Sequence, residues 1–221
     1  VSRFDIKKPT VEGMENLPSV PCVVATTHLS AIDVQEVVMA IADQRKVGIV
    51  SQETNLRYPP FKPFIAVMGK ENIFSIENDF ENGNATYRLR IDDFKKMQEG
   101  INQQGRTMVI AAHKYTRDWQ LAEKAGMGAV VLAHMANVPL VPAAVDIKSA
   151  TPVAQDTDIK TRVKNFVTLN RPEAKIIFGE PIQISEISEE KLRAAICLYS
   201  LDQRRNMSEE EIASARQTLT I

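Results

Sequence analysis

The feature that most constrains this chain is an alternation. Short apolar runs of strand length take turns with longer segments whose apolar residues recur at helical spacing. CVVATT at 22–27 reads as a buried strand, and SAIDVQEVVMAIADQ at 30–44 follows as an amphipathic helix with Ile32, Val37, Val38 and Ile41 on or near one face. The strand pattern returns at 47–51 (VGIVS), 107–112 (TMVIAA), 140–145 (LVPAAV) and 175–178 (KIIF), with 73–76 a weaker candidate. The helical pattern returns at 86–103, stopping near Gly105, and at 124–136. Strands and helices that alternate in this way predict an α/β fold: a mostly parallel central sheet flanked by helices. The segment 58–69, with its prolines and aromatics, reads as a loop with a short helix, and 151–170 is polar and gives no element. From Ser188 the tail is helical, with a second helix opening on a Ser208–Glu211 capping box. No repeat, low-complexity tract or linker divides residues 1–221, so a single domain with a helical tail at 188–221 is expected.

Charge and punctuation then exclude several functions. A formal net charge of −1 with no basic stripe gives no field for nucleic acid. Cys22 and Cys197 are too far apart in sequence to suggest a disulfide framework, and a reducing, cytoplasmic setting is the simpler reading. The opening VSRFDIKKPTVEG has no apolar core of signal-peptide length. The apolar stretch 126–145 approaches the length of a membrane span, but Pro139 would break a spanning helix, and a helix followed by a strand fits it better. The chain has no G-x-S-x-G elbow, no Walker-type loop and no dinucleotide fingerprint. His113 and His134 stand in no metal-binding spacing with each other or the cysteines, so both read as structural or surface residues and no metal is expected.

The best candidate for chemistry is His28-Leu-Ser-Ala-Ile-Asp33, at the junction of the first buried strand and its helix. Open α/β sheets place ligands at the carboxyl ends of their strands. A neutral imidazole, with a solution pKa of about 6.5, suits the removal of a proton from a hydroxyl near neutral pH. A carboxylate on the far ring nitrogen fixes the tautomer and stabilises the imidazolium that forms. On one continuous helix the two side chains would face different sides, so the intervening loop is required. A bland alternative stays open: Ser30 is a good N-cap, Asp33 falls three residues later, and the two can form a capping box while His28 merely ends a strand.

Five further segments extend the pattern. VEGMENLP at 11–18 precedes the His28–Asp33 block; Gly69 with IFSIE at 73–77, TMVIAAHKYTR at 107–117, GMGAVVLAHMANVPLVPAAV at 126–145 and AKIIFGEPI at 174–182 follow it. In this order, over about residues 11–184, they resemble the blocks of the glycerolipid acyltransferase family, which contains the 1-acylglycerol-3-phosphate acyltransferases. The resemblance implies an acyltransferase with His28 as general base and Asp33 as its partner. Ser30, Lys114, Thr116, Arg117 and Pro142 are then the candidate substrate-binding residues, Arg117 matching the family's arginine on the acceptor phosphate and Pro142 lying in its fourth block. It further implies acyl-CoA or an acyl carrier protein as donor, a lysophospholipid-like or other lipid acceptor, no cofactor and no metal.

Two positions depart from the family's pattern. Lys114-Tyr-Thr-Arg117 stands where the family has Glu-Gly-Thr-Arg, and Glu77 stands where its second block ends in arginine. The departures point away from a phosphate-bearing acceptor and towards one with an amine or hydroxyl head. Trp119 and the aromatics between Tyr58 and Phe64 are candidates for peripheral contact with a membrane, such as the inner face of the cell membrane, although a lone Trp in a loop more often packs locally. Lys95, Lys96, Arg88 and Arg90 share their segment with Asp92, Asp93 and Glu99, a solvated face rather than a lipid patch. A thioester or ester hydrolase using His28, and a non-catalytic lipid-binding domain, are the alternative classes on the same fold.

Overall fold

Strands that are apolar on both faces must lie between two layers of helix, and the computed structural model of this chain builds that arrangement. It describes residues 9–28, 33–57, 62–76, 79–81, 84–86, 90–112, 126–147, 174–200 and 207–220. The strands are β1 (Thr10–Glu12), β2 (Val23–Thr26), β3 (Val47–Gln52), β4 (Ile73–Ile76), β5 (Asp79–Glu81), β6 (Asn84–Thr86), β7 (Thr107–Ala111), β8 (Leu140–Ile147) and β9 (Ala174–Phe178). Seven of them form one sheet in the order β1-β9-β8-β2-β7-β3-β4, while β5 and β6 pair only with each other. The strands from β8 to β4 in that order run parallel; β9 runs antiparallel to β8, and β1 runs parallel to β9. The helices are α1 (Asp33–Ile41), α2 (Glu53–Leu56), α3 (Lys62–Met68), α4 (Ile91–Asn102), α5 (Met127–Ala136), α6 (Glu189–Tyr199) and α7 (Glu209–Thr220).

The pleat of β2 divides the interior. Val23 and Ala25 join one core with Phe94 and Met97 of α4, Leu132 of α5 and Leu192 of α6. Cys22 and Val24 join the other with Val37, Val38 and Ile41 of α1. Val23 and Val24 are both fully buried, which is why the run at 22–27 is apolar throughout instead of alternating. Each such side chain contributes roughly 1.5–3 kcal/mol of burial, so the central strands are the most firmly held part of the fold. The apolar stretch at 126–145 resolves into α5 and β8, separated by Asn137 in the left-handed region (φ 56). No helix among the described residues is long and apolar enough to cross a membrane.

Several boundaries differ from the sequence reading. The helix expected over 86–103 begins only at Ile91, because Thr86 belongs to β6 and pairs with Asp79. The backbone at 84–86 therefore takes its hydrogen bonds from a neighbouring strand and not from a helical turn. Its far end is as expected: Gly105 (φ 68) closes the helix, its N–H donating to the Ile101 carbonyl. The helix expected from 124 has Gly126 as its extended N-cap and starts at Met127. The helix expected to run to 44 stops at Ile41, where its last fully buried side chain lies, and 42–44 form an exposed turn. β1 was not expected at all. The capping box on α7 is present: Ser208 Oγ accepts from the Glu211 N–H at 3.2 Å, and the Glu211 carboxylate accepts from the Ser208 N–H at 2.7 Å.

Candidate active site

β2 is the middle strand of the seven in the sheet, with β7 on one side and β8 on the other, both parallel to it. After β2 the chain crosses by α1 to β3; after β7 it crosses by α5 to β8, in the opposite direction and over the opposite face. Neighbouring strands whose connections diverge leave a crevice between them at their carboxyl ends, the place where open α/β sheets bind ligands. His28 sits at that crevice, directly beyond the end of β2.

The backbone there is tied to both neighbours. The Ala112 N–H donates to the Thr26 carbonyl at 2.8 Å, and the Thr27 N–H donates to the Ala143 carbonyl at 3.0 Å. Thr27 therefore still belongs to the ladder with β8, and His28 is the first residue beyond it. His28 is half-buried, with its Nδ1 shut off from solvent. Asp33 opens α1 and is fully buried. Both members of the expected pair thus lie at the carboxyl end of β2, one just beyond the strand and the other at the start of the helix that follows. Residues 29–32, including Ser30, lie outside the described residues.

The two acidic first-turn residues of the chain that read as capping residues can be compared. Glu211 caps α7 from the surface, exposed, as a purely local cap does. Asp33 has no exposure at all. Burying a carboxylate is costly unless hydrogen bonds or opposite charge hold it, so the position of Asp33 demands more than a favourable interaction with the α1 dipole. Glu36, one turn further along α1, is also buried. The sequence reading passed over Glu36; its spacing of one helical turn from Asp33 was the available signal. Asp93 in the first turn of α4 and Asp146 near the end of β8 complete the buried carboxylates among the described residues, all at the carboxyl edge of the sheet.

Pro142 lies within β8, buried and in register with Ala25, so it sits below the crevice and not at its mouth. Between the pairs Leu140↔Ile182 and Ala143↔Phe178 the register slips by one residue, and the Pro142 carbonyl accepts from the Gly179 N–H at 2.8 Å. A proline fits such a slip because no ladder bond needs its missing N–H. Lys114, Thr116 and Arg117 lie outside the described residues, as do His113, Trp119 and Glu77. The chain that carries the first three departs after Ala112 and returns at Gly126, whose N–H donates to the Ala112 carbonyl at 2.5 Å. Both ends are therefore anchored at the carboxyl end of β7. His134 is exposed on α5, one ring nitrogen 3.1 Å from the Ile187 carbonyl, a structural contact away from the crevice. Cys22 and Cys197 are free thiols, both buried. Among the described residues no group of three or more His, Cys, Asp or Glu is placed to hold a metal ion.

No protein-family profile matches the chain, and no curated protein sequence matches it. Among solved structures it is similar to the crystal structure of the 1-acyl-sn-glycerophosphate (LPA) acyltransferase PlsC from Thermotoga maritima, with a TM-score of 0.51 and 14% sequence identity. The likeness covers 96% of this chain and 69% of that one. What the two share is a fold. At this identity the likeness extends to the arrangement of strands and helices and says nothing of individual side chains; chemistry must be argued from the site.

Proposed function

We propose that this chain is an acyltransferase that moves a fatty acyl group from an acyl thioester, acyl-CoA or an acyl carrier protein, to a hydroxyl of a lysophospholipid-like or other lipid acceptor. The observation that carries the reading is the setting of His28: at the carboxyl end of the central strand, where the connections diverge, with the buried Asp33 opening the next helix. The likeness of fold to a lysophosphatidic acid acyltransferase supports the same class.

In this reading His28 takes the proton of the acceptor hydroxyl as its oxygen attacks the thioester carbonyl carbon. The tetrahedral oxyanion collapses, the carbon–sulfur bond breaks, and the departing thiolate takes the proton back from the imidazolium. An ester and a free thiol result, and no cofactor takes part. Asp33 holds the imidazole in the reactive tautomer and stabilises its charged form. Arg117, with Lys114 and Thr116, contacts the acceptor head; Ser30, between base and orienter in sequence, binds substrate; Pro142 shapes the floor.

Incubation with an acyl-CoA, with and without a lysolipid, tests the class. Acylated lipid is the expected product. Free fatty acid regardless of acceptor would mark a hydrolase, and neither product a binding domain. His28→Ala is expected to fold and to lose roughly 10²–10⁴-fold in turnover, the usual worth of a general base; a folded variant with near-normal turnover would overturn the assignment of His28.

A further inference from the structure

In a parallel pair, each residue bonded to its neighbour donates through its N–H and accepts through its carbonyl. β2 and β8 follow this rule up to Thr27, whose N–H donates to the Ala143 carbonyl at 3.0 Å. The next bond of the ladder would run from the Val145 N–H to the Thr27 carbonyl. Instead the Val145 N–H donates to the Thr27 hydroxyl, Oγ1, at 3.0 Å. The side chain occupies the acceptor position that the backbone would fill. The Thr27 carbonyl is thereby released from β8, and the chain turns out of the sheet at the residue that leads into His28. Thr27 is fully buried, so no water stands in for that hydroxyl from outside.

We infer that Thr27 is a positioning residue for His28: its hydroxyl ends β2 at a fixed place and so sets the direction in which the imidazole leaves the sheet. The inference rests on the reading of His28 as the general base. Threonine suits the task on two counts. Its branched β-carbon holds χ1 in an extended strand, and its hydroxyl accepts a backbone N–H, as Ser and Thr do at helix caps and turns. Valine has the same shape and cannot accept. In Thr27→Val the Val145 N–H loses its partner, and a buried unpaired N–H is costly enough that the Thr27 carbonyl is drawn back to it. The ladder then extends by one bond and His28 is redirected. A displacement of about 1 Å at a reacting group is worth roughly 10²-fold in rate.

The experiment compares Thr27→Val, Thr27→Ser and Thr27→Ala with the parent and with His28→Ala. It reads kcat and KM for an acyl-CoA, the pH profile of kcat, and the His28 imidazole resonances by NMR. Thr27→Val is expected to lose roughly 10²-fold in kcat with KM little changed, and to shift the His28 resonances and the acid limb of the pH profile. Thr27→Ser is expected to restore all three. Parent-like kcat and resonances in Thr27→Val overturn the inference, as does a loss in Thr27→Ser equal to that in Thr27→Val, which would make the methyl group the cause. If Thr27→Val does not fold, the Ala and Ser pair decides on the same criteria: a parent-like Ala variant overturns it. A parent-like His28→Ala would instead remove the catalytic reading, while the NMR comparison would still judge whether Thr27 directs the imidazole.

Discussion

Asp33 carries the sharpest test at the scale of single residues, because an orienting carboxylate and a capping carboxylate fail differently. Asparagine keeps the size and part of the hydrogen bonding, and at a buried position such as this Asp33→Asn removes from α1 up to about 2 kcal/mol of interaction with the helix dipole. If Asp33 holds the imidazole, turnover collapses with only a modest fall in the melting temperature; a large fall in stability with specific activity intact would establish the capping role instead. Cys22 supports a separate prediction about pH. Burial pushes its thiol from the ordinary 9.0 up to about 11, against the opposing hydrogen bond from Thr107 and the charge of Arg45. The unfolded chain therefore releases this proton first. Its share of stability is full below pH 9 and is lost as pH rises from 9 towards 11, by roughly 2–3 kcal/mol at about 1.4 kcal/mol per pH unit. Denaturant titrations at several pH values in that window should show a shallower decline in Cys22→Ala than in the parent. Parallel declines would mean that the thiol is not the group that titrates.

At the scale of elements, α7 is held to the rest of the described structure through α6, and Ala215 is its one buried residue. Cys197 of α6 lies near it: burial raises that thiol, the charge of Arg193 opposes the rise, and the charge of Glu211 on α7 adds to it. Ser208→Ala removes the cap that the Glu211 N–H donates to, so α7 should open more often, and Cys197 should react with a thiol reagent roughly three- to ten-fold faster at unchanged global stability. An unchanged labelling rate would mean that α7 does not shield it. The cap was legible because a Ser-x-x-Glu signature works through local contacts alone. The central strands were legible for a related reason: burial on both faces removes the polar alternation and leaves an apolar run. β1 has no such run, since only Val11 within Thr10–Glu12 is apolar and the strand lies at the sheet edge. The β5–β6 pair was missed although Asn82-Gly83, a favoured hairpin dipeptide, separates the two strands. The helical spacing of the segment that follows extends over it in sequence. The antiparallel course of β9 left no trace in KIIF, because strand direction is fixed by the connection and not by the strand. His28 and Asp33 were legible as a motif, whereas Thr27 was not: a threonine ending a strand is common, and only the hydrogen bond from the Val145 N–H sets it apart.

For the whole molecule, the proposed acyltransferase reading makes the acceptor a matter of charge, because one sheet and its helices can serve any lipid head that reaches the carboxyl edge. A net charge of −1 supplies no long-range attraction for an anionic lipid, so discrimination must come from the few groups near the head. A phosphate dianion is held best by arginine forks and backbone amides. In the family the chain resembles, two arginines and a glutamate occupy the positions that are here Glu77, Arg117 and Lys114. If these positions meet the head as proposed, one fork is kept, one is replaced by a carboxylate that would repel a phosphate, and the lysine returns a cation that is a point charge without the bidentate geometry. Loss of a fork weakens the hold on a dianion, and a carboxylate in its place favours a head that donates hydrogen bonds, an amine or a hydroxyl. We therefore predict that in a competition offering lysophosphatidic acid beside uncharged and amine-bearing lysolipids, the uncharged or amine-bearing lipids are acylated faster. Glu77→Arg should move the preference towards lysophosphatidic acid, by roughly ten-fold if a charge-assisted hydrogen bond of about 1.5 kcal/mol is gained. A strong preference of the unaltered protein for lysophosphatidic acid, abolished by Arg117→Ala, would show instead that Lys114 and Arg117 together hold the phosphate and that Glu77 does not face the head.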